Sequence, residues 1–148
     1  MNEQPIYTIY SSGHSNRSIE EFLFKLKENR IDILVDVRSV PVSRWTPHFG
    51  KMMLERALES ENIQYLYKGQ NLGGRGENTG YEEAIGELTN LAKNDLNVCV
   101  MCSEGDYRKC HRFTTLTPSF EARGLLVTHI EYEPTPKQSA PKRATDEN

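Results

Sequence analysis

The sequence predicts an α/β protein: a single domain with a mainly parallel five-stranded sheet and helices on both faces. Short apolar runs typical of buried strands alternate along the chain with segments in which apolar residues recur at helical spacing. This alternation is typical of a sheet built by right-handed crossovers. The chain has 148 residues, enough for one domain with a substantial core. The strand order does not follow from the sequence.

The first elements follow from their own residues. Residues 6–10 are predicted as strand one, and residues 31–37 as strand two, because each is a short apolar run that ends in polar residues. Between these strands, Ser18 and Glu21 have the spacing of a capping box. A helix is therefore expected to begin there.

The middle of the chain repeats the pattern. Leu54 and Leu58 indicate a second helix, and residues 63–67 a third strand. Helical spacing over residues 81–91 predicts a third helix, and residues 96–101 a fourth strand. A glycine-rich loop follows strand three, where the backbone either needs unusual angles or approaches a ligand closely.

The last helix is predicted to be interrupted. It should run from Cys110 toward Arg123, but Pro118 lies inside it and predicts a break. Gly124 is expected to end the helix, and residues 125–130 to form strand five. The domain is thus predicted to occupy residues 1–133. The proline-rich, polar residues 134–148 are predicted to be a disordered tail.

Composition excludes some classes of function. No apolar run approaches the roughly 20 residues needed to cross a bilayer, and the N-terminus lacks the pattern of a signal peptide. We therefore expect a cytoplasmic protein with no membrane partner. Its three cysteines are an odd number without framework spacing, which favours reduced thiols. The net charge of -3 gives no overall attraction to nucleic acid, so any such binding must come from a local arrangement.

Polar residues follow four of the predicted strands. The carboxyl ends of parallel strands lie at one edge of a sheet, so these residues are expected to form one site. After strands one and two the candidates are Gly13, His14, Asn16, Arg17, Asp36, Arg38, Ser39, Arg44 and Trp45. After strands three and four they are Gly73, Gly74, Arg75, Cys102, Glu104, Asp106, Arg108, Cys110, His111 and Arg112.

These motifs resemble those of a known family. The chain contains Gly13-His14-Ser15-Asn16-Arg17, Asp36-Val37-Arg38, Leu72-Gly73-Gly74, and Cys102 followed by Cys110-His111-Arg112. Together they resemble the bacterial and archaeal family numbered 488 in the domain-of-unknown-function series. The spacing from Cys102 to the Cys-His-Arg triplet is the most specific part, and the resemblance extends over residues 6–130. It implies a compact α/β domain with these motifs as its shared site, and it implies no settled activity.

The cysteines leave several interpretations open. Cys102 and Arg108 fit the Cys-x5-Arg pattern of cysteine phosphatases, but Glu104 and Asp106 inside that loop would repel phosphate. A sulfur-transferring cysteine on a rhodanese-like loop needs less affinity for anions. Cys102 and Cys110 with neighbouring histidines could hold a soft metal ion, although their spacing is not that of a short chelating motif. Cys102 could also be a small buried residue at a strand end.

The arginines favour an anionic ligand. Arg38, Arg44, Arg108 and Arg112 are suited to phosphate, because guanidinium groups pair with phosphate oxygens through two hydrogen bonds. The neighbouring carboxylates could instead pair with them and leave a rigid network without a ligand. Trp45 could stack on a base or cap the core. Cys99 is assigned to the core, and His48 and His129 to structural roles, because they have no partners in the motifs.

The sequence therefore predicts a Cys/His/Arg site that binds or acts on a phosphate-bearing ligand, such as a nucleotide or nucleic acid. The candidate catalytic residues are Cys102, Cys110, His111, His14 and Glu104. The candidate ligand-binding residues are Arg38, Arg44, Arg108, Arg112, Asn16, Gly73 and Gly74. Two alternatives stay open: a non-enzymatic nucleic-acid or protein adaptor, and sulfur transfer or metal binding through the two cysteines. No resident cofactor is expected, and the residues do not decide whether the protein is an enzyme.

Overall fold

The computed structural model describes residues 5–42, 44–74 and 78–132 and contains one five-stranded sheet in which every pairing is parallel. The strands are β1 (Tyr7–Gly13), β2 (Ile33–Asp36), β3 (Gln64–Tyr67), β4 (Val98–Cys102) and β5 (Leu125–His129). Their spatial order is β3-β2-β4-β1-β5, so β4 is the central strand. The predicted fold class is confirmed.

Helices connect the strands. They are α1 (Ile19–Glu28), α2 (Lys51–Glu59), α3 (Gly69–Leu72), α4 (Tyr81–Lys93) and α5 (Thr117–Glu121). Short 3₁₀ turns cover Pro47–Phe49 and Tyr107–Lys109, and a π-helical segment, Arg112–Leu116, leads directly into α5. Ser18 caps α1 as predicted, since its side chain accepts a hydrogen bond from the Glu21 N–H at 3.0 Å.

The sheet buries both of its faces. Along β2, Ile33 and Val35 pack into one hydrophobic cluster and Leu34 into the other, because successive side chains of a strand point to opposite faces. Helices α1 and α2 contribute to the cluster around Leu34, whereas α4 and α5 contribute to the cluster around Val35. This arrangement explains why the strands are almost continuously apolar.

Two strands continue further toward the candidate site than predicted. The prediction ended strand one at Tyr10 and strand four at Met101, but β1 continues to Gly13 and β4 to Cys102, with those two residues paired. The small polar residues that end β1 carry no apolar signal, which is why the sequence pattern stopped too early. Gly13 and Cys102 therefore belong to strands and not to loops.

The segment around Pro118 differs from the prediction. The chain stays helical through Pro118, but its hydrogen-bonding pattern changes from π to α at Thr117. Pro118 lies in the first turn of α5, the part of a helix in which proline is best tolerated. The Thr117 hydroxyl donates a hydrogen bond to the Arg112 carbonyl at 2.6 Å, so this carbonyl of the π-helical segment has a partner. Gly124, with a φ of 88°, ends the helical stretch as predicted.

Arg75 and the predicted tail from residue 134 lie outside the described residues, so the tail stays a prediction. None of the helices in the described ranges is long and apolar enough to cross a membrane.

Candidate functional site

A cleft of about 950 Å³ opens at the carboxyl ends of β1, β2 and β4. The predicted candidates that line it are His14, Asn16, Arg38, Ser39, Arg44, Trp45, Gly74, Cys102, Glu104, Cys110 and His111. Ser15, Val40, Val42, Thr46, Ser103 and Lys109 complete the lining. The convergence expected from the topology is therefore observed, since residues far apart in sequence meet at one edge of the sheet.

Other predicted candidates lie elsewhere. Arg108 is exposed and forms an ion pair with Asp106 at 3.0 Å, away from the lining. Arg17 lies over the Tyr132 ring, 3.7 Å from its centroid. Gly73 packs against Ser39, where a β-carbon would lie 2.2 Å from the Ser39 hydroxyl oxygen. Three further candidates contact lining residues without lining the cleft themselves. Gly13 pairs with Cys102 in the sheet, Asp36 bonds Arg38, and Arg112 bonds the Cys102 sulfur.

Two cysteines of the cleft lining lie in contact, and we call them the sulfur pair. Cys102 ends β4, Cys110 follows the Tyr107–Lys109 turn, and their Sγ atoms are 2.6 Å apart. The Cys110 sulfur also lies 3.5 Å from His111 Nδ1 and accepts the Arg112 backbone N–H at 3.5 Å. Both side chains are nearly buried, yet both contribute to the cleft surface.

Arg112 lies beneath the sulfur pair and is only 1% exposed. Its Nε donates to Cys102 Sγ at 3.0 Å, its Nη1 to Ser11 Oγ at 3.0 Å and its Nη2 to the Glu104 carbonyl at 2.8 Å. No carboxylate in the described part of the chain pairs with this guanidinium. A buried cation requires a counter-charge, and the adjacent sulfur pair can supply it as a thiolate.

The two thiols titrate as one coupled unit. The hydrogen bond from Cys102 lowers the pKa of Cys110 well below its usual value, and the bonds with His111 and the Arg112 N–H act in the same direction. The same bond, together with burial, raises the pKa of Cys102. Within the pair, these two directions favour the thiolate on Cys110 and the thiol on Cys102. Cys99 is fully buried in the core as predicted, and burial raises the pKa of its thiol to about 12.

His14 presents an unprotonated nitrogen near the cleft. Its ring stacks on Phe49 at 4.3 Å, and Nδ1 lies 2.7 Å from the Ser15 carbonyl, which can only accept a hydrogen bond. Nδ1 therefore carries the proton, and Nε2 faces Arg38 Nη1 at 3.4 Å. Burial lowers the pKa of His14 to about 4, so the ring is neutral at pH 7 and Nε2 is placed to accept from Arg38 Nη1.

Asp36 fixes the orientation of Arg38. The fully buried Asp36 carboxylate accepts hydrogen bonds from Arg38 Nε at 2.9 Å and Nη2 at 2.7 Å, and from the Tyr65 hydroxyl at 2.7 Å. Burial and this contact with Asp36 raise the pKa of Tyr65. Since Nε and Nη2 are both occupied, Nη1 is the Arg38 edge that faces His14 and the cleft.

Cations and an aromatic ring border the cleft. Within the described ranges, Arg44 and Lys109 line the cleft without a carboxylate partner. Trp45, which is 86% exposed, lies beside them, and Glu104 contributes one carboxylate. Sequence reasoning missed Lys109, although its position directly before the Cys-His-Arg triplet was an available signal.

His129 was also missed as part of this network. It hydrogen-bonds Ser11 Oγ, which in turn accepts from Arg112, and its ring stacks on Tyr107 at 4.0 Å. Burial and the charge of Arg112 lower the pKa of His129 to about 4. The sequence offered no partner for His129 among the motifs. Its neighbour Ser11 is brought to it by the pairing of β5 with β1, and that strand order was not predictable.

Among the residues that the structure describes, no three His, Cys, Asp or Glu side chains are grouped so that they could hold a metal ion. The arrangement can instead present a thiolate, a neutral imidazole and unpaired cations to a molecule in the cleft.

Comparison with known proteins supports the family resemblance. Residues 18–83 match the family model described as "Domain of unknown function DUF488". The predicted resemblance to this family is thereby confirmed over the matched residues. The match to DUF488 includes Arg38, Arg44 and Gly74, whereas His14 and the sulfur pair lie outside the matched range. No curated protein and no solved structure matches the chain. The DUF488 match brings no activity with it, so the function has to be argued from the site.

Proposed function

We propose that the cleft binds a phosphate-bearing ligand, either a nucleotide or a nucleic-acid strand. The observation that carries this proposal is that Arg44 and Lys109 line the cleft without a carboxylate partner in the described residues. Arg38 adds its Nη1 edge, held in place by Asp36. Phosphate oxygens accept hydrogen bonds from guanidinium and ammonium groups, so these residues supply complementary donors.

The local charge supports binding of an anion despite the net charge of -3. Arg38 is balanced by Asp36, and Arg112 by the sulfur pair. In the described lining of the cleft, Arg44 and Lys109 then outnumber the one carboxylate, Glu104, which leaves an excess of positive charge. This is the local arrangement that nucleic-acid or nucleotide binding by an acidic chain requires.

Size and shape also fit. A cleft of about 950 Å³ lies within the range of small-ligand sites and can hold a nucleotide. The exposed Trp45 ring beside Arg44 offers a surface on which a base can stack.

The thiolate favours a second candidate, covalent chemistry such as sulfur transfer at Cys110. The sulfur pair supplies a nucleophile, and the neutral His14 ring lies beside it, since the His14 backbone N–H bonds the Cys102 carbonyl at 3.0 Å. A purely adaptor role would need neither group. In this candidate, Cys110 reacts with a ligand that the cations hold.

Trp45 provides a direct test of binding because it is the chain's single tryptophan. Titration with a nucleoside monophosphate, and separately with a short single-stranded oligonucleotide, should produce a saturable change in its fluorescence. Binding should weaken as salt is added. Arg44→Ala and Lys109→Ala should each weaken it about tenfold, equal to about 1.4 kcal/mol.

Lys93→Ala is the matched control, since Lys93 lies in the last turn of α4, before β4 and thus away from the cleft. It should leave the affinity unchanged. Absence of saturable binding, or binding that neither cleft substitution weakens, contradicts the proposal. The second candidate is tested by iodoacetamide below pH 7, which should alkylate the native chain rapidly and Cys110→Ser slowly. If the native chain and Cys110→Ser are alkylated at the same slow rate, the second candidate is wrong and the cleft only binds its ligand.

A further inference from the structure

The sulfur pair has features that ligand binding does not use. Cys102 and Cys110 come from different elements, the end of β4 and the loop after the Tyr107–Lys109 turn, yet nothing lies between their sulfur atoms at 2.6 Å. Cys99, only three residues before Cys102, packs in the core on the other face of the sheet. The pairing is therefore selective for two of the three cysteines.

The two sulfurs also have unequal surroundings. Cys110 accepts the Arg112 backbone N–H and contacts His111, two contacts that stabilise a thiolate there, and like Cys102 it belongs to the cleft lining. Cys102 contacts Arg112 Nε and also points its sulfur toward the Glu104 carbonyl at 3.8 Å. An accessible thiolate beside a second thiol is the arrangement in which one sulfur is oxidised and the other resolves it.

We propose that the sulfur pair is a reversible oxidation site, in which a hydroperoxide oxidises Cys110 and Cys102 then closes a disulfide with it. In the first step the Cys110 thiolate attacks the terminal oxygen of the hydroperoxide. The S–O bond forms, the O–O bond breaks, and the leaving alkoxide takes a proton from solvent to become an alcohol or, from hydrogen peroxide, water. Cys110 is now a sulfenic acid.

In the second step Cys102 loses its proton and its sulfur attacks the Cys110 sulfur. The S–S bond forms, the S–O bond breaks, and the departing hydroxide combines with that proton as water. Two molecules of a small thiol reverse the change by exchange: the disulfide is reduced, and the small thiol is oxidised to its own disulfide.

Oxidation changes the charge beneath the cleft. The disulfide carries no negative charge, so Arg112 keeps its contacts with Ser11 and the Glu104 carbonyl but loses the thiolate that balances it. It also removes the nucleophile from the cleft. The oxidised form is thus a modified state of the site, and its formation requires no phosphate-bearing ligand.

The experiment counts thiols in the full chain. Reduced protein is treated with one equivalent of hydrogen peroxide, unfolded, and labelled with N-ethylmaleimide before intact-mass analysis. The untreated chain should carry three labels, and the oxidised chain one label together with the loss of two hydrogen atoms. The remaining label should map to Cys99, and incubation with a small thiol should restore all three.

Variants separate the steps. Cys102→Ser should stop the reaction at a Cys110 sulfenic acid, which dimedone traps, whereas Cys99→Ser should still form the disulfide. Three labels after peroxide, or a disulfide that includes Cys99, would overturn the proposal for the native chain whatever the variants do. Because this assay contains no ligand, its failure is distinguishable from a failure of the fluorescence titration.

Discussion

Arg112 donates its Nε–H to the Cys102 sulfur across 3.0 Å, and this contact joins the reactive end of β4 to the rest of the sheet. The same guanidinium bonds Ser11 in β1 and the backbone of Glu104 in the following loop. All three of its donor nitrogens are occupied by protein groups. Its two remaining N–H groups belong to a side chain that is 1% exposed and does not line the cleft, so the phosphate contact predicted for Arg112 would require this side chain to become exposed.

The first prediction follows from that geometry. Arg112→Lys keeps the charge but has all its donors on one nitrogen, which cannot reach the three separate acceptors of the guanidinium, so it leaves buried acceptors unsatisfied. We expect the free energy of unfolding to fall by about 1–3 kcal/mol, measured by urea denaturation. Ligand affinity in the fluorescence titration should change little, because Arg112 does not line the cleft.

Arg108→Lys is the matched control for this substitution. Arg108 is exposed and pairs only with Asp106, so its replacement should change stability by less than about 0.5 kcal/mol. Unchanged stability of Arg112→Lys together with weakened ligand binding would restore the phosphate role that the sequence suggested.

The second prediction concerns Asp36. Asp36→Asn preserves shape but removes the charge that balances the nearly buried Arg38. Breaking one side of such a pair costs about 3–5 kcal/mol, and urea denaturation should show a loss in that range. Tyr65→Phe removes only one hydrogen bond to the same carboxylate and should cost about 1 kcal/mol. If the two substitutions cost the same, the ion pair does not hold Arg38 in place.

The sequence predicted the fold and the convergence of the site for one reason. Alternating strands and helices require a parallel sheet, and the carboxyl ends of parallel strands lie at the same edge. His14, Arg38 and Cys102 could therefore be placed together without knowing any distance. The prediction of a common location needs only the order of elements along the chain.

The roles of individual side chains required more than element order. Ser11 meets His129 only because β5 lies beside β1, and Arg112 reaches Ser11 only because β1 continues past its apolar residues. The spacing of apolar residues along the chain shows neither the order of strands in a sheet nor the residue at which a strand ends. For the same reason the sequence could not show that Arg112 lies below the cleft while Lys109 lies in its wall.

The third prediction is a dependence of stability on pH. Burial lowers the pKa of His14 from 6.5 in the unfolded chain to about 4 in the fold, so the unfolded chain binds more protons between these values. Stability should therefore fall as pH decreases through this window, with a slope from His14 approaching about 1.4 kcal/mol per pH unit. Urea denaturation at several pH values measures the slope.

His14→Gln provides the test of that assignment. Glutamine cannot gain the proton. The slope of the unfolding free energy against pH, between about pH 6.5 and about pH 4, should therefore become smaller by the contribution that His14 makes. His129, whose pKa is also about 4, contributes in the same direction and should account for part of the slope that remains. An unchanged slope in His14→Gln would show that His14 does not titrate in this window.

The fourth prediction tests the closeness of β1 to the loop after β4. A β-carbon on Gly13 would lie 1.8 Å from the Glu104 carbonyl oxygen and 2.9 Å from Arg112 Nη2. The first neighbour is backbone and cannot move without shifting the loop between Cys102 and Cys110, so Gly13→Ala should cost about 3 kcal/mol or more. Gly86→Ala in α4 is the control: its β-carbon would meet the flexible tip of Arg123, and alanine favours a helix by about 1 kcal/mol. We expect Gly86→Ala to be neutral or stabilising in urea denaturation. Gly13→Ala should in addition slow the formation of the disulfide between Cys102 and Cys110. A Gly13→Ala chain with native stability would mean that the loop yields easily, and that the spacing of the sulfur pair does not depend on this contact.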